Sequence, residues 1–275
     1  RFVDELVGRR AWRVTGRAES LIVLQRRPAE EHGAVRSSPL VTCIMPTADR
    51  RQFVPLAIQS FLAQDYAERE LVIVDDGREA VDDLVPQDAR VRYLRLEGRK
   101  SIGEKRNLAC AAARGHYVAH FDDDDWSSPS RLRYQLEELE RSRASIGGLT
   151  QVNYYDPALE RAFQYRYPPG RRPWVAGNTL FYTKAQWSKQ PFEHVDVGED
   201  ARFIWADRTA SVRVHERCDF FVALLHGSNV AKKQTHQRFW HPMPCSTIRA
   251  LMGSNFERYR EAAEARRSGV RERAG

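Results

Sequence analysis

Four consecutive aspartates, Asp122 to Asp125, follow directly on the apolar run Tyr117-Val118-Ala119-His120-Phe121. That run is short, β-branched and aromatic, which predicts a buried strand. Ser127-Ser128-Pro129 then opens a new element, with Ser128 expected as a helix cap and Pro129 at the first helical position. The carboxylates are therefore expected at the C-terminal end of a strand, where open α/β sheets keep their ligand sites. Four adjacent negative charges are costly unless a cation neutralises them. Hard cations such as Mg²⁺ or Mn²⁺ favour oxygen donors and share them with substrate phosphates. The competing reading is a solvated acidic turn that caps the next helix.

The elements around this run follow a regular order. Leu40 to Met45 predicts a strand ended by Pro46, and Phe53, Ile58, Phe61 and Leu62 give a helical stripe with Pro55 in its first turn. Leu71 to Val74 predicts a second buried strand ended by Asp75-Asp76-Gly77, and Val91 to Leu96 a third. Ile102 to Arg114 is Ala-rich and helical, with Gly115 as its stop, and Leu132, Leu136 and Leu139 mark the helix after the aspartates. Strand and helix thus alternate from 39 to 145, which predicts an α/β fold with a mostly parallel sheet and right-handed crossovers. Three polar strand ends, at Pro46 to Asp49, Asp75 to Gly77 and Asp122 to Asp125, are then expected on one sheet edge. The pattern is less regular beyond 146, where Pro168-Pro169-Gly170 and several aromatics point to a substrate pocket.

Bulk properties narrow the classes. Apolar residues make up 42% and charged residues 29% of the 275, an ordinary soluble globular composition. No apolar run reaches the length of a membrane span and no signal-peptide pattern opens the chain, so a cytoplasmic protein is expected. Cys43, Cys110, Cys218 and Cys245 lack paired metal spacing and read as reduced thiols. The net charge of +7 is uneven: residues 1–38 hold 8 basic and 5 acidic side chains, 228–275 hold 10 and 4, and 39–227 hold 26 and 28. The acidic centre would repel phosphate backbones, so no nucleic-acid partner is expected, although the basic ends keep a non-enzymatic nucleic-acid-binding domain as an alternative. Neither a GxGxxG nor a Walker loop follows the first strand.

Taken together, the motifs resemble the family 2 glycosyltransferases, inverting enzymes of the GT-A fold, over about residues 39–230. The matching parts are Val41 to Asp49 with the helix ending Ser60-Phe61-Leu62-Ala63-Gln64, then Val74-Asp75-Asp76-Gly77, Arg106-Asn107-Leu108, Asp122 to Trp126 with Pro129, Gly198-Glu199-Asp200, and His226-Gly227-Ser228-Asn229. The first motif departs from the family in reading Thr47-Ala48-Asp49, where relatives often carry an aromatic and Asn. The resemblance implies a metal-dependent enzyme that moves a sugar from a nucleoside-diphosphate sugar, with UDP the expected nucleotide, to a hydroxyl acceptor it does not identify. It places Asp76 at the nucleobase, Asp122 at the ribose, and Pro46, Thr47, Asp49 and Asp123 in the same nucleotide site. Arg106 approaches the nucleotide or its diphosphate. Asp124 becomes the ligand of Mn²⁺ or Mg²⁺, and His226 contacts the metal or the diphosphate.

Such a reaction needs a cation on the leaving phosphates and a carboxylate to deprotonate the acceptor. Glu199-Asp200 supplies the second, and the resemblance favours Asp200 as general base with Glu199 its rival. The plainer reading is that acidic residues suit the first turn of a helix. Trp174, Gly177 and Asn178 are implied along the donor-sugar and acceptor side, and Lys232 and Lys233 in a loop over the phosphates. A sugar-1-phosphate nucleotidyltransferase is the alternative enzyme, but Pro46 to Arg51 lacks the glycines of its phosphate loop. The expected organisation is an N-terminal extension or linker (1–38), a glycosyltransferase domain (39–230) with a nucleotide-binding half to 125 and an acceptor-side half beyond, and a basic helical extension (231–275). An amphipathic helix near Phe256 to Tyr259 is expected to pack on the domain, basic face outward, with weak attraction to anionic lipid surfaces.

Overall fold

The computed structural model describes residues 12–18, 21–26, 38–227 and 229–272, with side chains described from 38 to 265 apart from Ser228. Contacts divide the chain into two units, Arg1–Pro39 and Leu40–Gly275. The first holds an antiparallel hairpin of β1 (Trp12–Ala18) and β2 (Leu21–Arg26). β2 contains the expected Leu21–Leu24 strand; β1 was not foreseen. The polar stretch read as a linker falls, at 27–37, outside the described residues.

The second unit is built on two sheets. Its larger sheet runs β12–β8–β11–β6–β3–β4–β5, where β3 is Val41–Thr47, β4 Arg69–Asp75, β5 Val91–Arg95 and β6 Tyr117–His120. Beyond β6 lie β8 (Ile146–Gly148), β11 (Phe181–Thr183) and β12 (Val212–Val214). β6, β3, β4 and β5 are parallel neighbours, and β11 is antiparallel to β6 and β8. All seven residues of β3 and of β4 are buried, as parallel strands covered on both faces must be. β3 continues through Pro46 rather than ending there. Its ladder with β4 runs on to Thr47, but that with β6 stops at Ile44 and His120, so on the β6 side no strand remains to miss the proline N–H.

Helices α1 (Val54–Leu62), α2 (Ile102–Ala112) and α3 (Arg131–Ser142) form the crossovers. α2 starts at a capping box in which the Ser101 hydroxyl accepts from Glu104 N and the Glu104 carboxylate from Ser101 N. The start of α3 departs from expectation. Trp126–Ser127 is a two-residue strand, β7, paired with β13 (Phe221–Leu224), and Ser128 N donates to Phe220 O. This pairing keeps the chain extended, so α3 begins only after Ser130, and Ser128 and Pro129 precede it.

The second sheet runs β14–β10–β9–β13–β7, with β9 at Gln151–Asp156, β10 at Arg161–Arg166 and β14 at Trp240–Met243. The segment expected as a helical extension from 231 thus supplies an edge strand. It then adds α6 (Cys245–Met252) and α7 (Asn255–Glu272), preceded in the chain by α4 (Lys184–Lys189) and α5 (Glu199–Ala206). Ile248, Met252, Phe256, Tyr259 and Ala263 are buried in one cluster with Phe53, Trp126, Tyr155, Val222 and Leu224. The outer face of α7 is mixed in charge where its side chains are described: Arg260 pairs with Glu257 and Glu264. Phe256 is 2% exposed and packs on Tyr155 at 4.8 Å between centroids. Phe256→Ala is expected to cost about 3–5 kcal/mol in chemical denaturation. A loss below about 1 kcal/mol would mean that the helix contributes nothing to the core.

His215 gives a second prediction. It is 3% exposed between Tyr134 and Phe220, and among the described residues neither ring nitrogen has a hydrogen-bond partner. Burial, aided by Arg213, holds its pKa at about 3. A histidine lowered in the fold stays neutral there while the unfolded chain takes up a proton below about pH 6.5, so stability falls as pH drops through the window between 6.5 and 3. Between pH 6.5 and 5 this one ring should remove about 2 kcal/mol. His215→Phe keeps the ring and removes the orphaned nitrogens, so its stability should fall less steeply over that range in parallel urea melts. Equal slopes would discount the buried neutral histidine.

Candidate active site

The C-terminal ends of β6, β3 and β4 lie side by side, and the three expected polar strand ends meet there. Asp123, 1% exposed, accepts from the Thr47 hydroxyl at 2.7 Å and from Arg50 at 2.7 Å. Asp76 accepts from Lys105 Nζ at 2.6 Å and from Lys100 N at 2.7 Å, and Lys105 Nζ also donates to Thr47 O. Asp49 stands apart. Its φ of 54° turns the chain outward, and its carboxylate accepts from Arg78 N at 2.8 Å and pairs with Arg78 Nε at 3.3 Å.

The aspartate run is not a solvated turn. Asp123, Asp124 and Asp125 are 1–5% exposed. Arg50 Nη1 lies 2.9 Å from Asp124 Oδ2, and His226 Nε2 lies 2.9 Å from the same oxygen, with Asn229 Nδ2 at 3.4 Å. Burial alone would raise the Asp124 carboxyl, but Arg50 and His226 outweigh it and hold the group at about 2. Burial raises Asp122 and Asp123 against the pull of Arg106 and Arg50 respectively, and raises Asp125 furthest, with Asp124 and Asp122 adding to it. Asp125 faces inward and acts as a brace. It accepts from Asn178 Nδ2 at 2.8 Å and from Leu224 N at 3.1 Å, while its own carbonyl accepts from Tyr259 in α7. The ring of His226 stacks on Phe53 at 4.9 Å.

A pocket of about 350 Å³ opens over these groups. Its lining includes Pro46, Arg50, Arg106, Asp122 to Asp125, Tyr154, Trp174, Gly177, Asn178, Glu199, Asp200 and Lys233. Among the described residues, Thr47, Asp49, Asp76 and His226 do not line it; Thr47 and His226 reach it through Asp123 and Asp124, while Asp76 and Lys105 stand behind Thr47, whose carbonyl Lys105 Nζ meets. Gly198 starts α5 at φ 81°, a conformation that favours glycine, and turns Glu199 and Asp200 toward the pocket. The two carboxylates then separate in role. Glu199 Oε1 lies 3.1 Å from Arg106 Nη1, whereas Asp200 makes no ion pair among the described residues. Burial raises the Glu199 carboxyl although Arg106 opposes it. Asp200 rests on the turn Gly177–Thr179, where a Cβ at Gly177 would come within 2.2 Å of its Oδ2.

Arg106 is 5% exposed, and its Nε and Nη1 lack hydrogen-bond partners among the described residues; its contact with Glu199 is an ion pair without hydrogen-bond alignment. Arg50, Lys105 and Asn229 are site residues that the motifs did not assign. Arg50 follows the first motif and Lys105 precedes Arg106 directly, so only their neighbours marked them.

The model of glycosyl transferase family 2 matches residues 42–202, more than half of the chain. The chain is 29% identical over 172 residues to the Bacillus subtilis glycosyltransferase EpsJ, covering 61% of this chain and 46% of that protein. It is 35% identical over 103 residues to WcaA of Escherichia coli, a putative colanic acid biosynthesis glycosyl transferase, covering 36% and 37%. It spans less than half the length of these curated relatives. Among solved structures, S. aureus TarS (residues 1–349) in complex with UDP-GlcNAc superposes with a TM-score of 0.55 at 16% identity, covering 77% of this chain and 65% of that one. The same fragment with UDP gives 0.54 at 18%, covering 68% and 61%. The fold is therefore GT-A, with acidic strand ends gathered at one sheet edge and a helix-borne carboxylate facing them, and the chain belongs to glycosyl transferase family 2.

Proposed function

We propose that this glycosyltransferase takes a sugar from a nucleoside-diphosphate sugar, UDP-linked, and passes it with inversion to an acceptor hydroxyl, with Mn²⁺ or Mg²⁺ held at Asp124. The observation that carries this reading is the pairing of Arg106 and Asp124 around one pocket. Arg106 is a buried cation with unused donors, which suits an anion; Asp124 is a buried carboxylate kept ionised, which suits a cation. A diphosphate bound to a divalent cation presents both charges at once. The TarS fragments, which bind UDP and UDP-GlcNAc, support the same nucleotide.

The donor set fits a hard divalent cation in a particular way. Asp124 Oδ2 and His226 Nε2 stand 2.9 Å apart, but among the described residues no group of three or more His, Cys, Asp or Glu suffices to hold an ion. A cation there needs further oxygens from phosphate and water, which is how Mg²⁺ and Mn²⁺ sites on nucleotides are commonly completed. When bound, the ion stabilises charge developing on the leaving diphosphate. Arg106 binds the same anion from the other side, with Glu199 holding its guanidinium in place. Asp76, its carboxylate fixed by Lys105 and Lys100, accepts from the base. Asp200 takes the proton of the attacking hydroxyl.

Thermal melting with UDP, UDP-GlcNAc and other nucleotide-sugars, with and without Mn²⁺, tests the proposal. A bound donor at a hundredfold excess over its Kd should stabilise the fold by about 2.7 kcal/mol. If no nucleotide-sugar raises the melting temperature in the presence of Mn²⁺, the donor assignment fails.

A further inference from the structure

We propose that the acceptor is itself anionic, a glycan carrying carboxylate or phosphate groups near the hydroxyl that is glycosylated; this rests on the glycosyltransferase reading of the pocket. Two segments form the rim on the side of Trp174: residues 166–174, which leave β10, and residues 229–239, which lead into β14. Arg166 N donates to Phe239 O at 2.9 Å, and Tyr165 packs on both Trp174 and Trp240, at 6.0 and 5.3 Å between centroids. Each segment sends a residue into the pocket wall, Trp174 from the first and Lys233 from the second.

These segments contain Arg166, Arg171, Arg172, Lys232, Lys233 and Arg238 and no Asp or Glu, in a chain whose whole net charge is +7. All six side chains are exposed. Some exposed arginines elsewhere have carboxylate partners, as in Arg78 with Asp49, Arg202 with Glu193, and Arg217 with Asp219, whereas Arg161 and Arg208 make no ion pair among the described residues; the rim differs in holding no acidic residue at all. Among the described residues none of the six rim cations makes an ion pair. Arg172 donates to Trp205 O and stacks on its ring at 4.9 Å, so the other five carry the uncompensated charge, which an anionic ligand offsets. The pocket floor has the opposite sign, so the pocket is acidic within and basic at this rim.

The rim also offers a surface for sugar. Trp174 is half-buried, lines the pocket, and is stacked on Tyr167 at 4.9 Å, giving a supported aromatic wall beside the cations. Sugar rings carry C–H faces that pack on such rings, while their carboxylates or phosphates reach the arginines. A lipid surface fits less well. Val230 is the one large exposed hydrophobic residue in these segments, and interfacial anchors require an apolar face. The donor diphosphate, met at the floor by Arg106 and the Asp124 site, accounts for no more than Lys232 and Lys233 of these charges and leaves the arginines.

Calorimetry on the full chain tests the assignment, using an oligogalacturonate, a phosphodiester-linked glycerol oligomer, a neutral maltooligosaccharide of equal length, and vesicles containing phosphatidylglycerol. The protein should bind one or both anionic oligomers in preference to the neutral one, with affinity falling as salt rises. Arg166→Ser/Arg171→Ser/Arg238→Ser should weaken that binding tenfold or more and leave UDP affinity unchanged. Equal affinity for the neutral oligomer, or a triple variant that binds like the parent, overturns the proposal. So does a parallel loss of UDP affinity in the variant, or binding to vesicles alone. UDP-sugar turnover by the unaltered protein is read separately: its absence beside intact polyanion binding would sink the catalytic reading and not the anionic rim.

Discussion

Asp200→Asn is expected to lower turnover by about 10²-fold or more while leaving nucleotide affinity and melting temperature unchanged. Inversion in one step requires a base within reach of the attacking hydroxyl, on the face opposite the leaving diphosphate. Two adjacent carboxylates start α5, and their contacts distinguish them. Glu199 is 6% exposed and committed to Arg106, so its charge is spent on holding a cation. Asp200 lines the same pocket, makes no ion pair among the described residues, and is fixed against Gly177. Asparagine is nearly isosteric, so the contact with Gly177 survives and only the proton acceptor is lost. Glu199→Gln should behave differently, weakening donor binding through a loosened Arg106 and raising KM more than it lowers kcat. The reverse pattern, with Asp200→Asn near normal on a genuine acceptor and Glu199→Gln inactive, would exchange the roles. Gly177→Ala offers an independent check, since its Cβ must displace Asp200 and should lower kcat without removing any charged group.

The parts of this site that were legible in the sequence are those set by local pattern. β3, β4 and β6 are buried on both faces, so they appear as unbroken apolar runs, and the polar residues ending those runs must fall at one sheet edge. The start of α3 was misread because Trp126 and Ser127 pair with β13, nearly a hundred residues later, and no local signal reports such a partner. Pro46 was read as a stop for a related reason: whether a proline interrupts a strand depends on which neighbour its missing N–H would have faced. Arg50 and Lys105 lie outside the motifs and Asn229 only closes one, and their contacts with the acidic groups cross 29 to 105 positions in the chain, the shortest being that of Lys105 with Asp76. Asp49 shows the opposite error. It sits in the right motif, but its left-handed backbone sends the carboxylate to Arg78.

Asp124→Ala is expected to abolish the Mn²⁺-dependent part of UDP binding, with a loss of tenfold or more in affinity and a fold that still melts cooperatively. Four carboxylates crowd the end of β6, yet they are not equivalent. Asp125 is turned into the protein as a brace between Asn178, Leu224 and α7, and burial pushes its carboxyl upward. Asp123 is held by Thr47 and Arg50. Asp124 is the one that combines burial, a carboxyl held at about 2, and an imidazole nitrogen at 2.9 Å. An ionised oxygen beside a ring nitrogen is a donor pair for a divalent cation, and losing one of two protein ligands leaves too little to hold it. Arg50 makes the outcome informative. In Asp124→Ala it keeps Asp123 as its partner at 2.7 Å, so the variant does not strand a buried cation, and any lost affinity reports on the ion rather than on misfolding. Titrating UDP into the parent and the variant, each with Mn²⁺ and with chelator, separates the terms. The parent should lose affinity on chelation and the variant should not respond. A variant that binds UDP as the parent does in Mn²⁺ would remove Asp124 from the metal site and leave Arg106 alone to account for nucleotide binding.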